Sequence, residues 1–142
     1  MVFRKLTLDA VNRAEKTADG AAGKSVNVAK VLKALGEHPV ATGFLGGDRG
    51  EELLALLEAQ GIELDFVQVA PRTRQCITIF DTSAGTHTEL VEESQPVTAA
   101  DYEKLMQVIR RRVKGCRAVV MSGTITTGGP VNLYQRGTQL AH

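Results

Sequence analysis

The chain has 142 residues, and its 43% hydrophobic and 23% charged residues are ordinary for one globular domain. Its 17 basic and 16 acidic side chains give a net charge of +1, so composition predicts neither nucleic acid nor a membrane surface as a partner. No apolar run approaches the ~20 residues that span a bilayer. Cys76 and Cys116 lie far apart without a histidine pattern around them, which predicts buried reduced thiols and favours the cytoplasm.

The first half of the chain predicts two helices, each followed by a strand. Residues 24–35 place apolar side chains at i, i+3, i+4 and i+7, which predicts an amphipathic helix. Its apolar stripe consists of Val28, Val31, Leu32 and Leu35. A short apolar run predicts a buried strand over 40–45, leucines at helical spacing predict a helix between Gly50 and Gly61, and 64–69 predicts a second strand.

The second half begins with a pattern typical of a β-hairpin. Residues 76–80 alternate in character, a turn follows over 81–85, and a second β-prone run covers 86–91. This hairpin has no crossover helix between its strands. It therefore predicts an antiparallel element that stands apart from a parallel sheet.

A third helix is predicted from its start signal. Thr98 precedes Asp101 by three residues, which is typical of a helix N-terminus, and Val97 can pack onto Tyr102 one turn inside. The helix is followed at once by a compact apolar run, which predicts a third core strand over 118–121.

The order of elements predicts a layered α/β body with a small β flap. Alternating helices and buried strands imply a parallel sheet with helices on its faces. The first fifteen or so residues are more typical of the flap than of the core. Only about three core strands are predicted, whereas open sheets usually carry about four to six, so we expect the chain to be part of a larger fold.

The triplet Gly23-Lys24-Ser25 raises the question of a nucleotide phosphate loop. That loop requires a further glycine at position 18, which is Ala18 here, and an apolar strand leading into it, which residues 12–17 do not supply. The alternative is a helix N-terminus whose free N–H groups and partial positive charge favour an anion. Lys24 and Asn27 then leave the same side of the first turn. A plain solvated helix end is an equally good interpretation.

Other candidate ligand contacts follow the strands or lie in the flap. Ser122, Gly123 and Thr124 come directly after the predicted strand, where ligands bind in open parallel sheets, although a helix cap explains them equally well. Arg13 and Arg74 belong to flap segments, and either can bind a phosphate bidentately. The glycines at 46 and 47 are better explained as a tight turn.

The remaining polar clusters predict no catalytic or metal site. The basic run of Arg110, Arg111, Arg112, Lys114 and Arg117 is better explained by the C-terminal end of a helix than by nucleic acid. No Ser-His-Asp order, no metal-ligand spacing and no close carboxylate pair is present in the sequence. We therefore nominate no catalytic residue and no metal ligand.

Four stretches together resemble the PfkB/ribokinase family of carbohydrate kinases, and most closely its 1-phosphofructokinase and tagatose-6-phosphate kinase branch. They are AAGKSVNVAKVLKALG, ATGFLGGDRGEELLALLEAQGI, TRQCITI and VVMSGT. The family signature is matched by Gly23, Asn27, Gly36 and Gly46, while Ser25 stands where a glycine is usual. The resemblance implies a partial ribokinase-like fold, a three-layer α/β/α parallel sheet with an inserted antiparallel β flap at about 1–20 and 72–92.

The resemblance also implies an activity and a set of contacts. Kinases of this family phosphorylate a sugar with ATP and Mg²⁺ while the flap closes over it, and here the substrate is a phosphorylated hexose such as fructose 1-phosphate or tagatose 6-phosphate. By resemblance, the sugar phosphate is contacted by Gly23, Lys24, Asn27, Thr124, Arg74 and, with a looser match, Arg13. The flap sheets of the family often pair between subunits, which implies a homodimer.

Two parts of the family pattern have no match in the chain. They are the opening core strand with an Asn-Pro-Ala-x-x-Asp type segment and the Gly-Ala-Gly-Asp segment that supplies the catalytic base. We therefore expect residues 1–142 to be the N-terminal, substrate-binding half of one kinase domain, truncated at both ends, without kinase activity of its own. A non-catalytic sugar-phosphate-binding or dimerising module and a nucleotide-binding switch remain alternatives.

Overall fold

The structure is a computed structural model that describes residues 1–141. It divides into two compact units. The flap unit consists of Met1–Gly20 and Arg74–Glu93, and the body unit consists of Ala21–Thr73 and the residues from Ser94 onward. The elements in chain order are β1 (Val2–Phe3), α1 (Lys24–Ala34), β2 (Val40–Ala41), β3 (Phe44–Leu45), α2 (Gly47–Glu58), β4 (Glu63–Leu64), β5 (Val67–Gln68), β6 (Cys76–Asp81), β7 (Thr86–Val91), α3 (Ala99–Arg112) and α4 (Leu133–Ala141).

The flap unit is a three-stranded sheet in the order β1-β6-β7. The predicted hairpin is confirmed, because β6 and β7 pair antiparallel from Cys76 opposite Val91 to Asp81 opposite Thr86. β1 adds in parallel to β6. The carboxylate of Asp81 accepts hydrogen bonds from the backbone N–H groups of Leu6, Ser83 and Ala84, which ties the first segment to the hairpin turn. These bonds lower the pKa of Asp81 to about 2.

The body unit contains the predicted parallel strands, but each strand is short and interrupted. The predicted strand 40–45 forms β2 and β3, which pair in parallel with β4 and β5. One ladder nevertheless runs through both pieces, because the carbonyl oxygens of Ala41, Gly43 and Leu45 accept from N–H groups two residues apart on the partner segment, at 2.9, 2.9 and 2.8 Å. Gly43 interrupts the strand at a φ of 155°.

The predicted strand over 118–121 is wrong. These residues belong to no helix or strand. A β-strand exists only where a neighbouring strand supplies hydrogen-bond partners, and no described residue pairs with the backbone of this segment. The apolar run therefore stays unpaired and largely exposed, with Val119 37% and Val120 54% exposed.

The first helix has the predicted extent, but its predicted apolar stripe is only partly correct. α1 ends as expected before Gly36, which has a φ of 88°. The side chains that it buries are Val26 and Ala29, which pack with Ala41 and Leu57 in one core cluster. Val31 and Leu35, by contrast, are exposed. Val28 and Leu32, the other two members of the stripe, are half-buried.

The third helix begins as predicted and forms the second core cluster. The backbone N–H of Asp101 donates to the Thr98 hydroxyl at 3.2 Å, and Val97 packs against the cluster that contains Tyr102. This cluster buries Val67 of β5 together with the α3 side chains Tyr102, Leu105, Met106, Val108 and Ile109.

One further expectation about side chains concerns the two cysteines. The cysteines are free but exposed, so the prediction that they are buried is wrong. Cys116 lies just beyond α3, where little of the chain packs over it. Among residues 1–141, no helix is long and apolar enough to cross a membrane.

The basic run at the end of α3 has a structural role, as predicted. Arg111 and Arg112 both bind the carboxylate of Asp65, and Arg112 also reaches Glu63 at 2.7 Å. Farther along, Arg117 binds Glu37 at 2.6 Å. The hydrogen bonds from the two guanidinium groups hold the pKa of Asp65 below its usual range. These arginines are therefore held by carboxylates of neighbouring segments.

Candidate functional site

The N-terminus of α1 is open to an anion. The residue that precedes the helix, Gly23, has a φ of 138°, which favours glycine, and no side chain caps the helix. The first backbone N–H with a helical partner is that of Asn27, which donates to the Gly23 carbonyl at 2.8 Å. Among the described residues, the N–H groups of Lys24, Ser25 and Val26 have no backbone partner. Free N–H groups of this kind, together with the helix dipole, attract negative charge.

Two other helix N-termini of the body unit carry an acidic residue in their first turn. In α2, Asp48 lies in the first turn and forms a two-bond ion pair with Arg72, at 2.6 Å for each bond, which lowers the pKa of Asp48 to about 2. In α3, Thr98 caps the helix and Asp101 lies in the first turn. The first turn of α1 contains no acidic residue and begins with Lys24. Its charge environment therefore suits an external anion.

A cavity of about 190 Å³ lies in the body unit beside this helix end. The β2–β3 segment, the segment 119–126, α3 and α4 line it. Its polar lining residues include Ser25 of α1 and Thr124, so the structure brings the α1 N-terminus and the predicted Ser122–Thr124 segment to one cavity. Each helix of an α/β unit runs back across the sheet before the next strand, so helix N-termini and strand carboxyl ends share one edge.

Two tyrosines hold the segment that contains Thr124. Tyr102 is 2% exposed; its hydroxyl shares a 2.8 Å hydrogen bond with the Thr126 hydroxyl and accepts from the Thr126 N–H at 3.2 Å. Its ring meets Phe44 edge-on, with centroids 5.0 Å apart. On the other side of Thr124, the Tyr134 hydroxyl donates to the Gly123 carbonyl at 2.6 Å. Thr124 is therefore fixed from both sides by side chains of α3 and α4.

The paired glycines after β3 do not belong to this site. A Cβ on Gly46 would collide with the carbonyl oxygens of Pro71 and Val69, and a Cβ on Gly47 would lie 3.0 Å from the Arg72 side chain. Gly47 also has a φ of 66°. The space around both residues is filled by the chain itself. Gly46 is the N-cap of α2 and Gly47 is its first residue, so the tight-turn interpretation is wrong and the helix begins earlier than the predicted Gly50.

The two predicted arginines belong to the flap unit. Arg13 and Arg74 are both exposed, and within residues 1–141 neither makes a hydrogen bond or ion pair. The Lys24 side chain, in the body unit, is also exposed and makes no hydrogen bond or ion pair within these residues. All three cations are thus available to a ligand. Their joint action on one phosphate stays a prediction.

Sequence reasoning left Ser25 without a role and did not consider Tyr102 or Tyr134 as parts of a site. Ser25 is the second residue of α1 and has ordinary helical backbone, so nothing in the structure requires glycine there. The position of Ser25 in the first turn of α1 was the available signal, because helix N-termini and strand carboxyl ends share one edge of an α/β sheet. The tyrosines gave no signal, since their hydroxyl partners are more than ten residues away.

The nucleotide-loop interpretation of Gly23-Lys24-Ser25 lacks its structural context. Residues 4–23 contain no strand, only an isolated bridge at Lys16. Within the described part of the chain, no three His, Cys, Asp or Glu side chains lie close enough together to hold a metal ion. The cavity lining has no charged side chain. The residues present therefore do not fit Mg²⁺, and no step is assigned to MgATP.

Comparison with known proteins gives consistent results. Residues 2–142 match the sequence profile described as pfkB family carbohydrate kinase. A tagatose-6-phosphate kinase of Staphylococcus epidermidis is 32% identical over 137 residues, which cover 96% of this chain and 44% of that protein. A possible 1-phosphofructokinase of Thermotoga maritima superposes with a TM-score of 0.92 at 29% identity, over 99% of this chain and 46% of the other.

A third comparison extends the similarity of fold. Phosphofructokinase-2 of Escherichia coli, in complex with fructose-6-phosphate, superposes with a TM-score of 0.82 at 18% identity over 99% of this chain. The predicted α/β fold class is confirmed by these superpositions. The chain spans less than half the length of the curated relatives that it matches.

Proposed function

Because the chain belongs to the pfkB family of carbohydrate kinases, as its motifs predicted, we propose that its residues bind the phosphorylated hexose that such a kinase phosphorylates. The observation that carries this proposal is the uncapped N-terminus of α1, which begins with Lys24 and has no acidic residue in its first turn. The phosphate of the substrate is the anion suited to it. Fructose 1-phosphate and tagatose 6-phosphate are the two candidates.

Some of the proposed contacts bind the phosphate through charge, and the others bind the hydroxyl groups of the sugar. The Lys24 amine and the N–H groups at the start of α1 bind the phosphate, with Gly23 allowing close approach of the backbone. Asn27, one turn farther along, and the hydroxyl of Thr124 bind sugar hydroxyl groups. Ser25 lines the same cavity as Thr124 and supplies a further hydroxyl. Each of these groups is a hydrogen-bond donor, and all but the backbone and amine can also accept.

The flap unit supplies the second set of cations. Arg74 begins the segment that leads into β6, and Arg13 lies between β1 and the bridge at Lys16. Guanidinium groups bind phosphate oxygens with two parallel hydrogen bonds, which is stronger and more directional than a lysine contact. We propose that Arg74, and more weakly Arg13, are phosphate-binding residues of the flap unit.

We expect the described residues to bind the substrate without catalysing phosphoryl transfer. Family members use ATP and Mg²⁺ to supply the transferred phosphoryl group and to neutralise its charge. The cavity lining contains no carboxylate, imidazole or amine that can take the proton from the attacking hydroxyl. We therefore expect sugar-phosphate binding without turnover by the 142-residue chain in a coupled assay with MgATP. Turnover at an ordinary enzyme rate would show that this part of the proposal is wrong.

Calorimetry with fructose 1-phosphate, tagatose 6-phosphate and unphosphorylated fructose tests the binding proposal. The phosphorylated sugars should bind and fructose should bind much more weakly. Lys24→Ala removes a charge-assisted hydrogen bond worth about 1.5–3 kcal/mol, so we expect about a 10- to 150-fold loss of affinity. The matched control is Lys114→Ala, which removes an exposed lysine beyond the C-terminal end of α3. Equal affinity of the two variants, or equal affinity for fructose and its phosphates, would refute the role of the α1 N-terminus.

A second candidate function, self-association through the flap, is favoured by the exposure of β7. All six residues of this strand are exposed, and it is an edge strand of its sheet. Leu90 and Val91 are exposed apolar side chains on it, and edges of this kind pair readily with another chain. Sedimentation should show a dimer that Leu90→Asp dissociates, while Leu8→Asp, at an exposed site outside the sheet, leaves it intact. A monomeric parent chain would refute this candidate.

A further inference from the structure

The segment that precedes α1 is held against the helix by its first residue. Ala21 is the first residue of the body unit, and it is 4% exposed. Its side chain belongs to the core cluster that contains Val26 and Ala29 of α1 and Leu57 of α2. This burial fixes the side chain of Ala21, and the backbone of the same residue has an anchor of its own.

That anchor is the side chain of Lys30. The Lys30 amine donates a hydrogen bond to the Ala21 carbonyl at 3.1 Å, in a part-buried position. Lys30 lies in the second turn of α1, and long side chains on a helix point back toward its N-terminus. The apolar stem therefore follows the helix toward its start, and the amine meets the segment that leads into it. Among the described residues, no other donor binds the Ala21 carbonyl.

The two residues between this anchor and the helix are the ones that shape its open end. The Gly23 carbonyl accepts from the Asn27 N–H at 2.8 Å, so the carbonyl groups before and after Ala22 are both bound by α1. Ala22 and Gly23 are exposed, and Gly23 has a φ of 138°. Glycine loses more conformational freedom on ordering than any other residue. The conformation of this segment therefore depends on the bonds at its two ends.

We propose that Lys30 is a positioning residue of the phosphate site. Its bond to the Ala21 carbonyl holds residues 21–23 in the conformation that leaves the free N–H groups at the start of α1 open to an anion. This inference rests on the proposed function, in which that anion is the phosphate of the sugar substrate. Lys30 acts through the backbone, because a segment that is ordered before binding loses less conformational entropy when the ligand arrives.

A purely electrostatic role of Lys30 is the competing explanation. Lys30 is a cation on the same helix as Lys24, and any such charge attracts an anion. Lys33 distinguishes the two explanations, because it lies three residues farther along α1 and is half-buried like Lys30. Within residues 1–141, the Lys33 side chain makes no hydrogen bond or ion pair. Lys33→Met thus removes one positive charge from α1 without removing a bond to residues 21–23.

Calorimetry of the full 142-residue chain with fructose 1-phosphate tests the proposal. Lys30→Met keeps an apolar stem and removes the amine. Ordering the backbone of one residue corresponds to about 5- to 30-fold in affinity, and we expect a loss of that size. Lys30→Arg keeps a donor for the Ala21 carbonyl and should recover most of the lost affinity, and Lys33→Met should bind within about twofold of the parent chain. Equal affinity of the two methionine variants, or no recovery in Lys30→Arg, would overturn the proposal.

A measurement without ligand separates this inference from the proposed function. Urea unfolding first establishes that each variant is folded, and ¹⁵N relaxation then gives the order parameters of the Ala22 and Gly23 N–H groups. We expect values of about 0.85 in the parent chain and in Lys33→Met, and values below about 0.6 in Lys30→Met. Unchanged order in Lys30→Met would overturn the inference whatever the affinities are. A parent chain that binds no sugar phosphate would refute the proposed function, and the order parameters would still decide whether Lys30 holds the segment.

Discussion

The hydroxyl group of Tyr102 offers a direct test of how the Thr124 segment is held. Tyr102→Phe removes one oxygen and keeps the ring, so the edge-on contact with Phe44 and the burial in the second core cluster stay. What is lost is one hydrogen bond to the Thr126 hydroxyl and one from the Thr126 N–H. The effect of the substitution therefore comes from the loss of two hydrogen bonds, of 2.8 and 3.2 Å.

The expected magnitude follows from those two bonds. A hydrogen bond contributes about 0.5–1.5 kcal/mol net, and a buried donor left without a partner costs about 1–3 kcal/mol. The Thr126 N–H is part-buried and loses its partner. We expect Tyr102→Phe to lower the free energy of unfolding by about 2 kcal/mol, which is a large share of the ~5–15 kcal/mol of a typical domain. With an m-value of about 2 kcal/mol per molar urea, the midpoint falls by about 1 M.

Tyr134→Phe is the matched control, because it also removes one tyrosine hydroxyl near Thr124. That hydroxyl makes one bond, to the Gly123 carbonyl, at an exposed position. Water replaces an exposed partner, so we expect a loss of no more than about 0.5 kcal/mol. Urea unfolding of both variants measures the difference. If Tyr102→Phe is no less stable than Tyr134→Phe, the two bonds to Thr126 do not stabilise the body unit and the reasoning is refuted.

Two further predictions concern the packing of the body unit. Asp65→Asn removes the charge bound by Arg111 and Arg112 and should lower the free energy of unfolding at pH 7 by about 1–2 kcal/mol. Because the pKa of Asp65 is lowered in the folded state, this deficit should begin to shrink as the pH falls below ~4, where the carboxylate of the unfolded parent chain takes up a proton, and it should be lost once the pH has fallen through the lower pKa of the folded state. Acid unfolding of parent and variant measures it, and a deficit that is constant with pH would contradict the ion-pair explanation. Gly46→Ala should lower the free energy of unfolding by about 1–3 kcal/mol, since the new Cβ collides with the carbonyl oxygen of Pro71. The control is Gly20→Ala, whose new Cβ meets no atom within 4 Å. Thermal unfolding compares the two variants, and equal effects would contradict the steric cause.

Local signals in the sequence predicted the helices and the hairpin well. α3 begins where Thr98 and Asp101 indicated, because the cap is a bond between residues three positions apart. The hairpin of β6 and β7 was predictable for the same reason, since its strands are joined by a short turn. In each case the interaction that defines the element lies within the stretch of sequence that was read.

The errors lie where an element depends on a partner elsewhere. Residues 118–121 have the composition of a core strand, but composition cannot supply the neighbouring strand that makes one. In α1, the apolar stripe identified a face correctly as apolar, yet the structure buries Val26 and Ala29 and leaves Leu35 exposed. A periodic pattern records that a face can be buried. It does not say what buries it.

The site was predictable in part for a related reason. Lys24 and Asn27 were found because a helix N-terminus has a sequence signature and a known electrostatic field. Ser25 was not assigned, because its role comes from the cavity that it shares with Thr124, about a hundred residues away by sequence. Tyr102 was expected only as a core residue, and its hydroxyl acquires a role through Thr126.

The proposed sugar-phosphate contacts make different demands on the solution conditions. Lys24 at the start of α1 attracts the phosphate through charge, so its contribution to the affinity should fall as the ionic strength rises. Thr124 lines the cavity and carries no charge, so its contribution should change little with salt. If Lys24→Ala and the parent chain lose affinity equally as salt is added, Lys24 does not bind the phosphate.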